Sequence, residues 1–579
     1  MPMSLAYVGS KHGSTHAPAV IMPLVFGVIA GDSRSFKQSQ GLTLVKATVI
    51  SNRWTGVTIS LLVALAFGLL SLSLGQDRNW DLLNYHLYNP YAFLNDRTEF
   101  DLAPAGAQTF FSPMLDVIYF SAISHMSPKL VGFLLGFLQG LNFFLLYKIA
   151  GIVLREHSQR NVYSLLLALG GVLTVGFLAE VGSTMHDSLV ALFPLLSLWM
   201  ILHSIDSLDS ADRRSVWAMV TGAGLVAGIG IALKLVSAIY ALPLCLAFLV
   251  LPLPFLKRFK LAFVFGLAVL AGLLLIGGYW LYEVWRLFGN PLFPQFNNYF
   301  QGELGAFSET RDLRFLPRTL FDKLFYPVIF TLDPQRVAEL KYQQYSWLVA
   351  YAAILGLLMY KVINYFRKVV APRPWPPESV YLLAFFCISY FLWLNIFGIY
   401  RYLAVIEFLI PLLLFVIITT VFRTRLAAPA ALVFLGLVTL VNLRGVPDWG
   451  HSDWADTVYS IETGNLQLEP EPAAIFLAGQ PLAWIVPAMD IRTPFIQVVP
   501  NFGVSEAYWQ RAKILSSGRS GKKYVIYESD DPVTWQRSTD ALLKLNLSVD
   551  DRHCGHIGAY LGKTRSEYRF CELRHTEPK

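Results

Sequence analysis

Residues 54–94 read WTGVTISLLVALAFGLLSLSLGQDRNWDLLNYHLYNPYAFL. The first half, 56–75, is an unbroken apolar run, long enough at about 1.5 Å per residue to cross about 30 Å of hydrocarbon. The second half leaves that run carrying Asp77, Asp81, His86 and the tyrosines Tyr85, Tyr88 and Tyr91, and Asp96 follows. An apolar span that delivers carboxylates, an imidazole and aromatic rings to a membrane surface makes the fold helical and membrane-embedded. It also makes 77–96 the first place to look for chemistry.

The rest of the chain agrees. Its 579 residues are 55% hydrophobic, 14% aromatic and 15% charged, more apolar surface than one soluble core can bury. Further apolar runs near 129–154, 162–180, 188–204, 216–234, 237–253, 261–282, 346–366, 379–397, 402–422 and 427–443 bring the total to about eleven spans. The net charge of +7 falls largely in short loops between them: Arg155 with Arg160, Arg213 with Arg214, Lys257-Arg258-Lys260, Arg367-Lys368 with Arg373, and Arg423 with Arg425. Alternate loops enriched in cations mark the cytoplasmic side, so the basic balance needs no nucleic acid.

This pattern divides the chain into a cytoplasmic N-terminal extension (1–55), a transmembrane module (56–443) and a soluble-looking tail (444–579). The run at 17–31 is short, broken by prolines and followed by no convincing cleavage site, so it reads as neither a span nor a signal peptide. An odd span count puts 76–128, 283–345 and the tail on the non-cytoplasmic face, the periplasm if the membrane is a bacterial inner membrane. Pro90, Pro104, Pro113 and Pro128 break the first of these segments into short helices lying along the interface. The second opens on GNPLFPQFNNYF (289–300), an irregular loop. The tail has strand patterns at 495–500 and 522–528 and helical patterns at 505–515 and 532–545, a small α/β domain. Cys554 and Cys571 flank a hairpin there; an oxidising compartment favours a disulfide, and two free thiols or a metal site with His556 are the other readings.

A helix over 79–89 would place Asp81, Asn84, Tyr85 and Tyr88 on one face, with His86 about 140° away from Asp81. Tyrosine rings pack on the apolar face of a pyranose, and a carboxylate accepts hydroxyl protons. The plainer reading is an acid favoured by a helix N-terminus, by about 0.3–1 kcal/mol, beside an interfacial aromatic belt. Arg401, between Tyr400 and Tyr402 at a span junction, and Lys234, ending the glycine-rich span GAGLVAGIGIALK, either grip a phosphate or snorkel to lipid headgroups. His186 and Asp187 either serve the site, by orienting an acceptor or completing a metal site, or start a helix with Ser183 and Thr184. Arg286 and Asn290 open the second long loop, within reach of sugar or phosphate. There is no Walker A sequence, no dinucleotide-binding glycine fingerprint and no His-Glu-x-x-His pair.

The order WDLLNYHLYNPYAFLNDR (80–97), FFSPMLDVIYF (110–120), GNPLFPQFN (289–297) and FGIYRYL (397–403) resembles the GT-C class of polyprenyl-phosphate-sugar-dependent glycosyltransferases, among them glycosyltransferase 87-like proteins and relatives of aminoarabinose transferases and protein O-mannosyltransferases. The resemblance implies an all-α polytopic GT-C fold and an inverting transfer from a polyprenyl-phosphate donor to a lipid or glycan acceptor. It makes Asp81 the general base, with Asp77 in support, and Mg or Mn a possible metal. One departure stands out: Leu82 occupies the place of a common second acid. A lipid-linked oligosaccharide polymerase or ligase, a sugar transporter and a non-catalytic envelope-assembly protein are the competing classes.

Overall fold

The computed structural model describes residues 53–209, 214–308, 310–367, 375–462, 471–528 and 532–576. Nearly all of the N-terminal extension, together with Arg213, Lys368 and Arg373, lies outside the described residues. Nine described helices are long and apolar enough to cross a membrane: Thr55–Leu74, Pro128–Val153, Asp187–Ser207, Arg214–Leu233, Phe255–Phe288, Ser346–Phe366, Pro377–Ile396, Tyr400–Val421 and Ala427–Gly445. The chain is a multi-pass membrane protein. Phe259, Phe263, Leu267, Leu270 and Leu274 form an exposed apolar stripe at helical spacing along Phe255–Phe288, as a lipid-facing surface requires.

Two of the about eleven expected spans fall short of that length. The run near 162–180 is Arg160–Val172 and then Val175–Ala179, parted where Thr174 turns to extended backbone. The run near 237–253 is the shorter apolar stretch Leu235–Val250, with Pro243 inside its helix. Charged pairs gather at two faces of the bundle. On one face Arg155 meets Asp206 and Glu378, and Lys257 meets Asp209. On the other, Lys234 meets Asp187, Ser188 donates to Glu180, and Arg401 meets Asp81. We call the second the site face.

Glycine sets how closely two of these helices approach. A Cβ on Gly228 would lie 2.0 Å from the Val269 carbonyl oxygen, one on Gly224 2.5 Å from that of Phe265, and one on Gly272 2.2 Å from that of Leu225. Helices Arg214–Leu233 and Phe255–Phe288 therefore pack backbone to backbone through small residues, and this fixes the height at which Lys234 leaves its helix.

The tail forms a sheet domain. Gln76–Asp77 (β1) pairs antiparallel with His451–Ser452 (β2). Then Tyr459–Glu462 (β3), Ala474–Ala478 (β4), Phe495–Gln497 (β5), Lys523–Tyr527 (β6), Leu547–Leu561 (β7) and Thr564–His575 (β8) form one sheet in the order β3-β7-β8-β6-β4-β5, with β4 parallel to both β5 and β6. Cys554 and Cys571 face each other across β7 and β8 and are joined in a disulfide.

Side chains on β4 alternate between two cores. Phe476, with Ala474 and Ala478, packs with Tyr508, Ala512 and Leu542 from helices Glu506–Ser517 and Pro532–Lys544. Ile475 and Leu477 share the other core with Leu82, Leu83, Tyr85, Tyr88 and Tyr91. Residues 82–91 thus lie beneath the sheet, where their leucines and tyrosines supply the apolar cover that face lacks. Leu102 bridges the edge of β5 with hydrogen bonds of 2.9 and 3.0 Å to the backbone of Phe495 and Gln497.

Candidate active site

The stretch after the first span does not keep one helical register. Asp81 starts a π-turn, Leu82–His86, which gives way after Leu87 to the α-helix Tyr88–Leu94. Such turns insert an extra residue and re-aim side chains. Tyr85 still donates its hydroxyl to Asp81 Oδ2 (3.2 Å), but Tyr88 donates to Asp101 Oδ2 (3.0 Å) and leaves the expected stripe. His86 is buried, with Nδ1 2.7 Å from Asp116 Oδ1.

Residues far apart in the chain complete the site. Arg401, in the 3-10 turn Tyr400–Leu403, donates from Nη1 to Asp81 Oδ2 at 2.5 Å, and its Nε lies 3.9 Å from Asp187 Oδ2. Lys234, at the break after Arg214–Leu233, places Nζ 2.7 Å from Asp187 Oδ1 and 2.5 Å from the Met185 carbonyl oxygen. The Tyr402 ring underlies both cations, 5.3 Å from the Arg401 guanidinium carbon and 5.9 Å from Lys234 Nζ, and Trp449 covers Arg401 at 5.9 Å. Between them Asp187, Lys234, Ser237, Tyr240, Arg401 and Tyr402 line a cleft with about 20 Å³ free, room for a water.

Burial pushes the Asp81 carboxyl up, yet Arg401, His86 and Lys234 together outweigh it and hold the group below its ordinary range. Asp81 is a carboxylate at neutral pH. Burial and the nearby Asp81 charge raise Tyr85 well above its ordinary value, so it stays a phenol and a donor.

Asp77 has a different place. Its Oδ2 accepts from the Thr184 backbone N–H and hydroxyl at 2.7 Å each, and Asn79 Nδ2 donates to both of its oxygens. It ties the first loop to the turn that carries His186 and Asp187. Arg286 pairs with Glu283 on the surface, and Asn290 braces its own loop by donating to Gln295 at 2.8 Å, so neither reaches the cleft.

Asp116, Glu180, Met185 and Trp449 were not singled out in the sequence. Asp116 had a signal, a lone acid inside the apolar run MLDVIYF. Its Oδ1 lies 2.7 Å from His86 Nδ1 and 3.1 Å from His186 Nε2, all three residues being buried, and their ligand atoms lie within 4.8 Å of one another. His186 sits at a φ of 65°, a left-handed conformation uncommon for a non-glycine residue. Burial lowers its pKa, which favours the neutral imidazole that ligates metals. Two imidazoles and a carboxylate suit zinc or manganese and do not suit magnesium, which takes oxygen ligands.

No family model matches the chain, and no curated protein matches it. Among solved structures it is similar to ArnT from Cupriavidus metallidurans bound to undecaprenyl phosphate, with 12% identity, a TM-score of 0.46 and coverage of 90% of this chain and 98% of that one. It is also similar to ArnT from Cupriavidus metallidurans in the apo state, with 14% identity, a TM-score of 0.39 and the same coverage.

Proposed function

We propose that the chain is an inverting GT-C glycosyltransferase that moves a sugar from a polyprenyl phosphate to a lipid or glycan acceptor at the site face, which is the periplasmic face of a bacterial inner membrane. The observation that carries this reading is the Asp81–Arg401 pair, buried at a membrane edge and flanked by Asp187 and Lys234. Two carboxylates interleaved with two cations supply both a base for the acceptor and positive charge for a phosphate leaving group.

In the reaction an acceptor hydroxyl attacks the anomeric carbon. Its proton passes to Asp81, a new C–O bond forms on one side of the sugar, and the bond to phosphate oxygen breaks on the other. The phosphate leaves with the electron pair, and Arg401 and Lys234 stabilise its charge. Asp187 keeps Lys234 aimed at the cleft. Tyr85 orients Asp81 and offers a ring to the sugar, and the ring of Tyr402 supports both cations. His86, Asp116 and His186 would hold a divalent ion, which when bound would supply positive charge to the site.

The chemistry gathers at one face. A transporter would place polar residues at mid-membrane on broken helices in both halves of the chain. The test is thermal stabilisation of the purified protein by a panel of polyprenyl-phosphate sugars. Stabilisation of the wild type that Arg401→Gln lacks supports the reading, and binding of none of the panel contradicts it.

A further inference from the structure

The cations proposed to hold the phosphate are already occupied by carboxylates of the same site. Arg401 Nη1 sits 2.5 Å from Asp81 Oδ2, and Lys234 Nζ 2.7 Å from Asp187 Oδ1. The four side chains are 5–16% exposed, so each cation is matched by one buried anion. Asp187, Lys234 and Arg401 line a cleft, with about 20 Å³ free and room for one water, on the side of Arg401 that Asp81 does not line. An anion that binds these cations competes with the carboxylates already paired to them.

We infer that the lipid phosphate displaces Asp81 from Arg401, so that the base is released only once the donor is bound. This rests on the phosphate-binding role of Arg401 proposed above. With its Oδ2 held by a guanidinium, Asp81 is a poor proton acceptor; with the phosphate taking over Arg401, the carboxylate turns to the acceptor hydroxyl. Asp187 is the second counter-ion and a positioning residue: it keeps Lys234 in the cleft through the exchange. The arrangement couples base strength to donor occupancy, and no moving domain is required.

The consequence is a binding effect opposite to that of an ordinary site residue. Removing the charge of Asp81 removes the phosphate's competitor. Buried charge pairs couple strongly enough for Asp81→Asn to bind undecaprenyl phosphate about tenfold tighter than wild type. Asp81→Glu, which keeps the charge, should not tighten. Both are measured with purified protein in nanodiscs and undecaprenyl phosphate as the probe, beside Arg401→Gln.

Equal or weaker binding by Asp81→Asn, with wild-type binding that Arg401→Gln lacks, overturns this inference and leaves the phosphate reading standing. No wild-type binding, or full binding by Arg401→Gln, overturns both. If Asp81→Asn fails to fold, a cryo-EM structure of the wild type with undecaprenyl phosphate decides the matter. The inference requires the Arg401–Asp81 pair to part beyond 4 Å, and an intact pair with phosphate bound beside it contradicts it.

Discussion

The two faces of the bundle use the same charged residue types in opposite ways. On the face opposite the site, Asp206 and Asp209 pair with Arg155 and Lys257 while remaining 61% and 77% exposed. Water screens such pairs, and each contributes about 0–1 kcal/mol. On the site face Asp81 and Asp187 are 7% and 5% exposed and pair with cations that are nearly as buried. A buried pair recovers little beyond its desolvation cost, and breaking one side of it is expensive. The opposite face buries one anion, Glu378, but pairs it with an Arg155 that is one-third exposed. Among the described residues named at the two faces, only those of the site face bury both partners of each pair, which points to chemistry there rather than to a demand for stability.

That contrast can be broken or sharpened one residue at a time. Arg401→Gln leaves Asp81 buried without its cation and should lower stability by about 3–5 kcal/mol, read as a fall in the unfolding midpoint of the purified protein. Asp101→Asn comes next. Asp101 takes two bonds from Arg97, one from Tyr88 and one from the Phe495 backbone, and Arg97 reaches on to the carbonyls of Ile491 and Thr493, so this cluster seats the sheet domain on the first loop. The change should cost about 2–4 kcal/mol, with protease sensitivity appearing first between 471 and 576.

A smaller effect is pH-dependent. Asp116 is driven up by burial but held below its ordinary range by His86 and His186. Its contribution is fully present above the ordinary carboxylate range and is lost as pH falls through the lowered value. The wild-type unfolding midpoint should drop on acidification below about pH 4, and Asp116→Asn should flatten that limb. Smallest of all, Asp206→Asn on the opposite face should move stability by no more than about 1 kcal/mol. A large effect there would erase the distinction between the faces.

The sequence made the membrane architecture legible because composition and loop charge suffice for it. Asp81, Arg401, Lys234 and Asp187 could be singled out because charge beside hydrocarbon is costly wherever it stands. Their meeting could not be read: Asp81 and Arg401 are 320 positions apart, and only the packing of the bundle joins them. The stripe expected on 79–89 dissolved because a π-turn shifts the register between Tyr85 and Tyr88. AIFLA (474–478), buried along its whole length in the sheet, carries no alternation to betray it as a strand.

The central claim is that Asp81 takes the acceptor's proton during transfer from a polyprenyl-phosphate sugar. The most direct measurement is single-turnover transfer by wild type and by folded Asp81→Asn, with each saturated by the donor that the binding panel identifies. The account predicts a rate loss of about 10²–10⁴-fold in Asp81→Asn while donor binding persists. Transfer by Asp81→Asn at the wild-type rate would contradict it.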